Sequence, residues 1–117
     1  MHPEARWIVA IDDDVLTMTD GQGEKSACPL SDVTGIAVET NDSGPWGSDV
    51  WWMFFGPNGR LNLTFPQGAT GEDAVLDRIK KLPGFDHTEM IAAMASTDNS
   101  TFIVWQQEGR LAERPID

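Results

Sequence analysis

Residues 50–65 read VWWMFFGPNGRLNLTF, and they decide the fold. The first six are large and apolar without a break, which is typical of a strand that is covered on both faces or leaves an apolar patch on one. The Asn-Gly pair that follows is the strongest short signal for a hairpin turn. Leu61, Leu63 and Phe65 then alternate with polar residues. We therefore predict two antiparallel strands joined by a tight turn, with these three side chains on one face.

Shorter strands are predicted on both sides of this hairpin. Apolar and β-branched residues, separated by Asp- and Gly-rich segments, indicate strands at 7–11, 15–19, 25–28, 33–40 and 101–106. The run Asp12-Asp13-Asp14 and the segment DGQG at 20–23 predict turns, because Asp side chains accept hydrogen bonds from nearby backbone amides. The segment NDSGPWGS at 41–48 consists almost entirely of turn-forming residues, so we predict a loop there.

Two helices are predicted after the hairpin. Thr70, with Asp73 three residues later, has the spacing of a capping box, and the pair Pro83-Gly84 ends the first helix. Asp86 followed by Glu89 repeats the capping pattern for a second helix. Each helix has one apolar stripe, which predicts its buried face. Together with the hairpin, these stripes predict a core of Val75, Leu76, Ile79, Ile91, Met94, Leu61, Leu63 and Phe65.

Strands joined by short turns and followed by helices are typical of α+β proteins. We predict an antiparallel curled sheet or partial barrel of about six to seven strands, with two C-terminal helices packed on it. The 117 residues fit a single domain spanning 1–117. Its core is expected at about 6–106, followed by a polar tail at 107–117.

The charge of the chain restricts its partners. With 19 acidic and 8 basic residues, the formal net charge is −11. Nucleic acids and anionic membranes attract basic surfaces, so we expect neither as a partner. A partner with basic character would be attracted over about a Debye length.

The cysteine content and the N-terminus favour the cytoplasm. Cys28 is the only cysteine, so it forms no internal disulfide, as is usual in a reducing compartment. Beside Pro29 it is expected to be a small buried apolar residue. The first residues, MHPEAR, lack the pattern of a signal peptide, and no apolar run is long enough to span a membrane.

Two resemblances follow from longer runs of residues. Residues 7–65, with PLSDV at 29–33 leading into a longer strand, loosely resemble bacterial pleckstrin-homology-like domains. Residues 39–105 more closely resemble a family of small bacterial proteins without an established activity. The shared runs are ETNDSGPW at 39–46, DVWW at 49–52, PQGATGED at 66–73, LPGFD at 82–86, AMASTDN at 93–99 and FIVW at 102–105. The resemblance therefore implies a bacterial protein and assigns no functional residue.

No catalytic, metal or cofactor site is predicted. Asp12-Asp13-Asp14 offers carboxylates, but it lacks the ligand spacing of an EF-hand and is interpreted as a solvated turn. Cys28 or Ser96 with His87 lacks the local signature of a known nucleophilic site. We therefore expect neither a metal nor a cofactor, and we favour a non-enzymatic role over an enzymatic one.

The strongest candidate site is aromatic. Trp46 lies in a segment rich in Gly and Pro, between Asp42 and Asp49. An aromatic residue beside carboxylates is typical of a binding hot spot for a partner with basic and apolar groups. Trp46 is equally well explained as a plug over the open end of the sheet. The preferred hypothesis is a non-enzymatic module that binds a protein or peptide.

Two alternatives remain open at the level of sequence. The chain could be an immunity-type antitoxin that covers a basic toxin surface, since it is small and acidic. It could also be a small-ligand binder or an enzyme, using a cleft between residues 42–49, 66–73 and 96–99. Gln67, Thr70 and Asn99 would then line that cleft.

Overall fold

A computed structural model describes residues 7–44, 47–96 and 99–107, with the backbone alone described at 42–44, 47–49 and 58. In this part of the chain it has seven strands and two helices, all strand pairs within the sheets being antiparallel. The strands are β1 Ile8–Asp12, β2 Val15–Thr19, β3 Lys25–Pro29, β4 Gly35–Gly44, β5 Gly47–Phe55, β6 Leu61–Pro66 and β7 Ser100–Gln106. The helices are α1 Glu72–Ile79 and α2 His87–Ala95. The predicted α+β class is confirmed.

The strands form two sheets in place of one continuous sheet. The smaller has the order β1-β2-β3, and the larger has the order β6-β5-β4-β7. One core cluster unites residues of both sheets and both helices, including Leu16, Trp52, Phe54 and Ile79. The described strands do not close into a barrel. The architecture is a curled arrangement of two sheets around a shared core.

Three turns confirm the local predictions. Asp13 and Asp14 adopt positive φ angles of 55° and 60°, as a two-residue hairpin turn between β1 and β2 requires. The Asp20 carboxylate accepts hydrogen bonds from the amides of Gln22 and Glu24 at 2.8 and 2.9 Å. A short 3₁₀ turn at Pro57–Gly59 joins β5 to β6.

The predicted loop at 41–48 is wrong. β4 continues to Gly44 and β5 begins at Gly47, with a register shift between Asn41 and Gly44. Pairing with a neighbouring strand outweighs the turn preference of Asn, Asp, Ser and Gly, since strand propensity depends strongly on context. Residues 45–46 lie outside the part of the chain that the structure describes.

The predicted cap at Thr70 is also wrong. Thr70 pairs instead with β1, because its N–H donates to the Trp7 carbonyl and its carbonyl accepts from the Val9 N–H, both at 2.8 Å. Gly71 is the residue before α1, with a φ of 89°. A side chain there would meet the Val9 carbonyl, so this close approach of loop and strand requires glycine. The predicted cap at Asp86 is confirmed, since its carboxylate accepts from the Glu89 amide at 2.9 Å.

The predicted core is correct in part. Val75, Ile79, Leu63 and Phe65 are at most 2% exposed, and Leu76 packs against the core while half-buried. Ile91, Met94 and Leu61 are instead exposed by 64%, 37% and 50%. In α2 the small residue Ala93 faces the core, which places Ile91 about 200° around the helix from it.

Leu61 is displaced by a bulge. The register of β5 and β6 shifts between Phe54, which pairs with Leu63, and Phe55, which pairs with Leu61. The extra residue, Asn62, donates a hydrogen bond to the Cys28 Sγ at 3.7 Å. Because a one-residue shift reverses the side to which side chains point, Leu61 leaves the face of Leu63 and Phe65.

Candidate functional site: an apolar face on the larger sheet

The two faces of β5 have different surroundings. Trp52 and Phe54 are fully buried in the core, whereas Trp51, Met53 and Phe55 alternate with them and are half-buried. Successive strand side chains point to opposite sides, so the latter three lie on the side away from the core. We call this side the outer face. Trp51 and Trp52 therefore point to opposite faces of the sheet.

Neighbouring strands extend this outer face. Ala37 on β4 pairs with Met53 on one side and with Ile103 of β7 on the other, and Leu61 of β6 pairs with Phe55. Ile103 is 52% exposed and Leu61 is 50% exposed. The outer face therefore includes the apolar residues Ala37, Trp51, Met53, Phe55, Leu61 and Ile103, together with Gly35, Glu39, Thr64 and Thr101. Contiguous exposed apolar groups of this kind are typical of interaction surfaces.

The helices lie on the other side of the larger sheet. Val75, Ile79 and Ala93, the buried helical residues, belong to the core cluster with Trp52 and Phe54. Trp51 alone of the β5 outer residues has an aromatic neighbour among the described rings, an edge-on contact with Trp7 at 5.6 Å between centroids. The outer face therefore remains in contact with solvent at Ile103 and Leu61.

A depression lies over β4 on the outer face. Gly35 and Ala37 form its base, and Phe55, Ile103 and Gln106 stand around it. Its volume is about 170 Å³. Small side chains on the central strand between larger side chains on β5 and β7 explain its shape. We call this feature the β4 depression.

The charge of the larger sheet has a single sign. Its four strands contain three acidic residues, Glu39, Asp42 and Asp49, and neither Lys nor Arg. Glu39 is exposed on the outer face, where it pairs with Trp51 and Thr101. An apolar surface with a carboxylate at its margin is therefore complementary to a partner that has both apolar and basic groups.

The residues predicted around Trp46 are located in part. Trp46 itself lies outside the described residues. The backbones of Asp42 and Asp49 lie in β4 and β5, close to the end of the hairpin, where Asn41 pairs with Asp49. The same two strands carry the outer face, so the hypothesis from sequence and the apolar face concern one hairpin.

The structure gives a local contact or position for each of the three residues predicted to line a cleft. Gln67 contacts α2, since its Nε2 lies 3.3 Å from the Met94 Sδ. Thr70 instead pairs with the strand β1 through its backbone. Asn99 is exposed and immediately precedes β7. The structure thus places Gln67 beside α2 and Thr70 beside the smaller sheet.

Beside these residues lies a partly buried carboxyl group. Glu72 Oε1 accepts a hydrogen bond from the Gly68 N–H at 3.1 Å. Burial raises the pKa of Glu72 above its ordinary value of 4.5. The hydrogen bond from the Gly68 N–H lowers this pKa, and the negative charge of Asp73 raises it further. Glu72 Oε2 and Trp52 Nε1 are both buried, and neither has a hydrogen-bond partner among the described residues. The nearby Trp52 indole N–H nonetheless lowers the pKa of the carboxyl.

A second depression follows the edge of β7. It has a volume of about 420 Å³ and lies between β7 and the segment that joins the helices, with Pro83, Trp105 and Ile103 in its lining. The Trp105 indole N–H donates to the Pro83 carbonyl at 2.8 Å, and Asp86 caps α2. Ile103 borders both depressions.

Asp14, Cys28 and His87 each contact a residue of the surrounding fold. Asp14 forms a two-point ion pair with Arg78 at 2.9 and 3.1 Å, and this hydrogen bonding lowers the pKa of the exposed Asp14 carboxyl. Burial raises the pKa of the Cys28 thiol, and the predicted burial of Cys28 is confirmed. His87 is exposed and stacks edge-on against Phe85. In the described part of the chain, no three His, Cys, Asp or Glu residues are grouped as metal ligands.

Comparison with protein families, with characterised proteins and with solved structures gave no match for this chain. Neither described helix has the length and hydrophobicity needed to cross a bilayer.

Sequence reasoning missed Leu61, Ile103 and the β4 depression. The unbroken apolar run in β5 did indicate that one face would be exposed unless something covered it. Which face that is depends on where the smaller sheet and the helices pack. The exposure of Ile103 follows only from its pairing with Ala37 across the bulge in β7.

Proposed function

We propose that this chain is a non-enzymatic interaction module that binds a protein or peptide with apolar and basic groups through its outer face. The observation that carries the proposal is the exposure of Leu61 and Ile103, at 50% and 52%, on a face that also presents Trp51, Met53 and Phe55. Burying such apolar area contributes about 25 cal/mol per Å². A partner that covers the face therefore gains binding energy from residues that do not support the core.

Electrostatics support a basic partner. The chain has a net charge of −11, and the strands that carry the face have no basic residue. Charges around an interface affect the association rate and the choice of partner more than the affinity. We expect association to be faster at low ionic strength. A basic toxin surface is one partner with this chemistry.

Trp46 remains part of the proposal. It stands in the sequence between Gly44, the last residue of β4, and Gly47, the first of β5. Aromatic side chains bury a large area at low cost in side-chain entropy, which is why they are frequent among hot-spot residues. Asp42 and Asp49 flank it and would favour the approach of a basic partner.

The proposal is tested by comparative capture with defined variants. Wild-type protein, Ile103→Asp, Trp46→Ala and Thr17→Asp are each used as bait in the native lysate. Thr17 is the matched control, because it is an exposed residue on the outward side of the smaller sheet. Thermal melts followed by circular dichroism first compare the stability of each variant with that of wild type.

The expected result is a protein that is captured by wild type and by Thr17→Asp, is lost with Ile103→Asp, and is weakened with Trp46→Ala. Capture should decrease as salt is raised. Equal recovery with Ile103→Asp and wild type would refute the assignment of the outer face. A large loss of stability in Trp46→Ala would show that this residue is a structural plug.

A further inference from the structure

The size of the β4 depression indicates what enters it. Its volume is about 170 Å³, and it is open to solvent on one side. Gly35 and Ala37 at its base leave room for one aliphatic side chain such as Ile or Leu. Pockets for drug-sized ligands are larger, roughly 300–1,000 Å³. The depression therefore fits a single side chain of a partner.

The width of the depression indicates the conformation of that partner. Adjacent strands are about 4.8 Å apart, so the backbones of β5 and β7 on either side of β4 are about 9.6 Å apart. Phe55 and Ile103 narrow this opening further. The backbone of a partner lies above these side chains, and one of its own side chains enters the depression. An extended chain is narrow enough to lie along β4.

Glu39 gives the partner a second requirement. It follows Ala37 by two residues on the same face of β4, which corresponds to about 6.6 Å along a strand. It is exposed, and the strands of this sheet supply no Lys or Arg to neutralise it. In an extended peptide, residues separated by two positions have the same spacing on the same side.

We propose that the β4 depression receives an extended peptide segment in which an aliphatic residue and a Lys or Arg are two positions apart. The aliphatic side chain fills the space above Gly35 and Ala37, and the cation lies against Glu39. This inference rests on the proposed function, since it uses the same outer face. The strands of the larger sheet in a second copy supply no Lys or Arg to pair with Glu39.

The test uses two synthetic peptides of identical composition. The first is acetyl-Ser-Thr-Ile-Thr-Lys-Thr-Ser-amide, which places Ile and Lys on one side when extended. The second, acetyl-Ser-Thr-Ile-Lys-Thr-Thr-Ser-amide, places them on opposite sides. Each is titrated to about 5 mM into ¹⁵N-labelled protein, because short peptides bind weakly. We expect the first to shift amides of β4, β5 and β7 and to bind about two- to fivefold more tightly than the second.

Two variants of the chain test the two contacts separately. Gly35→Val fills the base, and a Cβ at Gly35 would meet only the Trp105 carbonyl oxygen at 3.7 Å, an ordinary contact. We expect it to weaken the first peptide by at least about tenfold, the loss of one buried aliphatic side chain. Glu39→Gln should bind both peptides equally. The control Thr17→Val, on the smaller sheet, should bind as wild type does.

Four results would overturn this inference: no shift with either peptide, shifts confined to another surface, equal binding of both peptides to wild type, or unchanged binding to Gly35→Val. Concentration-dependent shifts of the same amides without peptide would identify a second copy as the occupant and overturn it as well. The capture experiment distinguishes failure of the extended-peptide inference from failure of the proposed function. If Ile103→Asp loses its captured partner while the peptides do not bind, only the extended-peptide inference fails.

Discussion

Ile79 and Ile91 allow one substitution to be compared at two sites that the sequence predicts to be alike. Both belong to apolar helical stripes, but Ile79 of α1 is fully buried and Ile91 of α2 is 64% exposed. Ile79→Ala removes three carbon atoms from the core at about 0.8 kcal/mol each. The residual cavity increases the loss, so we expect the free energy of unfolding to fall by about 3–4 kcal/mol.

At Ile91 the same substitution should have little effect. The side chain is mainly in solvent, and alanine has the higher helix propensity, so the free energy of unfolding should change by less than about 0.5 kcal/mol. Urea denaturation monitored by circular dichroism measures both variants. The Ile79→Ala variant should also melt about 10–20 °C lower. Equal losses at the two sites, or a larger loss at Ile91, would refute the packing of α2 through Ala93.

Three further predictions concern local interactions. Asp86→Ala removes the side-chain cap of α2 and should lower the free energy of unfolding by about 0.5–2 kcal/mol, measured by urea denaturation; no change would mean that another group satisfies the Glu89 amide. Gly71 and Gly23 have positive φ angles of 89° and 90°. Substitution by Ala at either position costs about 1–2 kcal/mol, because a side chain is strained there. Only at Gly71 would the new side chain also meet the Val9 carbonyl. Gly71→Ala should therefore melt well below Gly23→Ala, and similar melting temperatures would contradict the close approach of the loop to β1. Because burial raises the pKa of Glu72, the folded state favours the neutral acid, and stability from this group decreases as pH rises through the folded-state pKa. Glu72→Gln keeps an acceptor for the Gly68 N–H and should be more stable than wild type at pH 7. In acid, below the pKa of Glu72 in both the folded and the unfolded state, the two proteins should have similar stability. A gain in the free energy of unfolding that is largest in acid would contradict this prediction.

The sequence predicts those elements whose local pattern and tertiary surroundings agree. The hairpin turn at Pro57–Gly59, the Asp86 cap and the buried pair Val75 and Ile79 each follow from local spacing. Thr70 fails because its backbone is used by β1, a strand about sixty residues earlier. A pattern of neighbouring residues gives no information about a hydrogen-bond partner that lies so far away in the sequence.

The outer face was predictable only in part, for a related reason. The composition of β5 shows that two apolar faces exist, but the covered face is selected by how the smaller sheet and both helices pack. The bulge at Asn62 then turns Leu61 outward, although its alternation with Leu63 predicts the opposite. A one-residue irregularity of this kind leaves no periodic signal in the sequence.

The bridge between β1 and Thr70 has a consequence for synthesis of the chain on the ribosome. The hairpin of β1 and β2 can form as soon as it has left the exit tunnel, but the Val9 N–H finds its acceptor only after residue 70 has emerged. At roughly 5–20 residues per second, the intervening sixty residues take about 3–12 s to translate. Val9 and Leu16, buried in the finished protein, are exposed on the nascent chain for that time. The smaller sheet is therefore the segment of this chain that a ribosome-associated chaperone has the longest opportunity to bind.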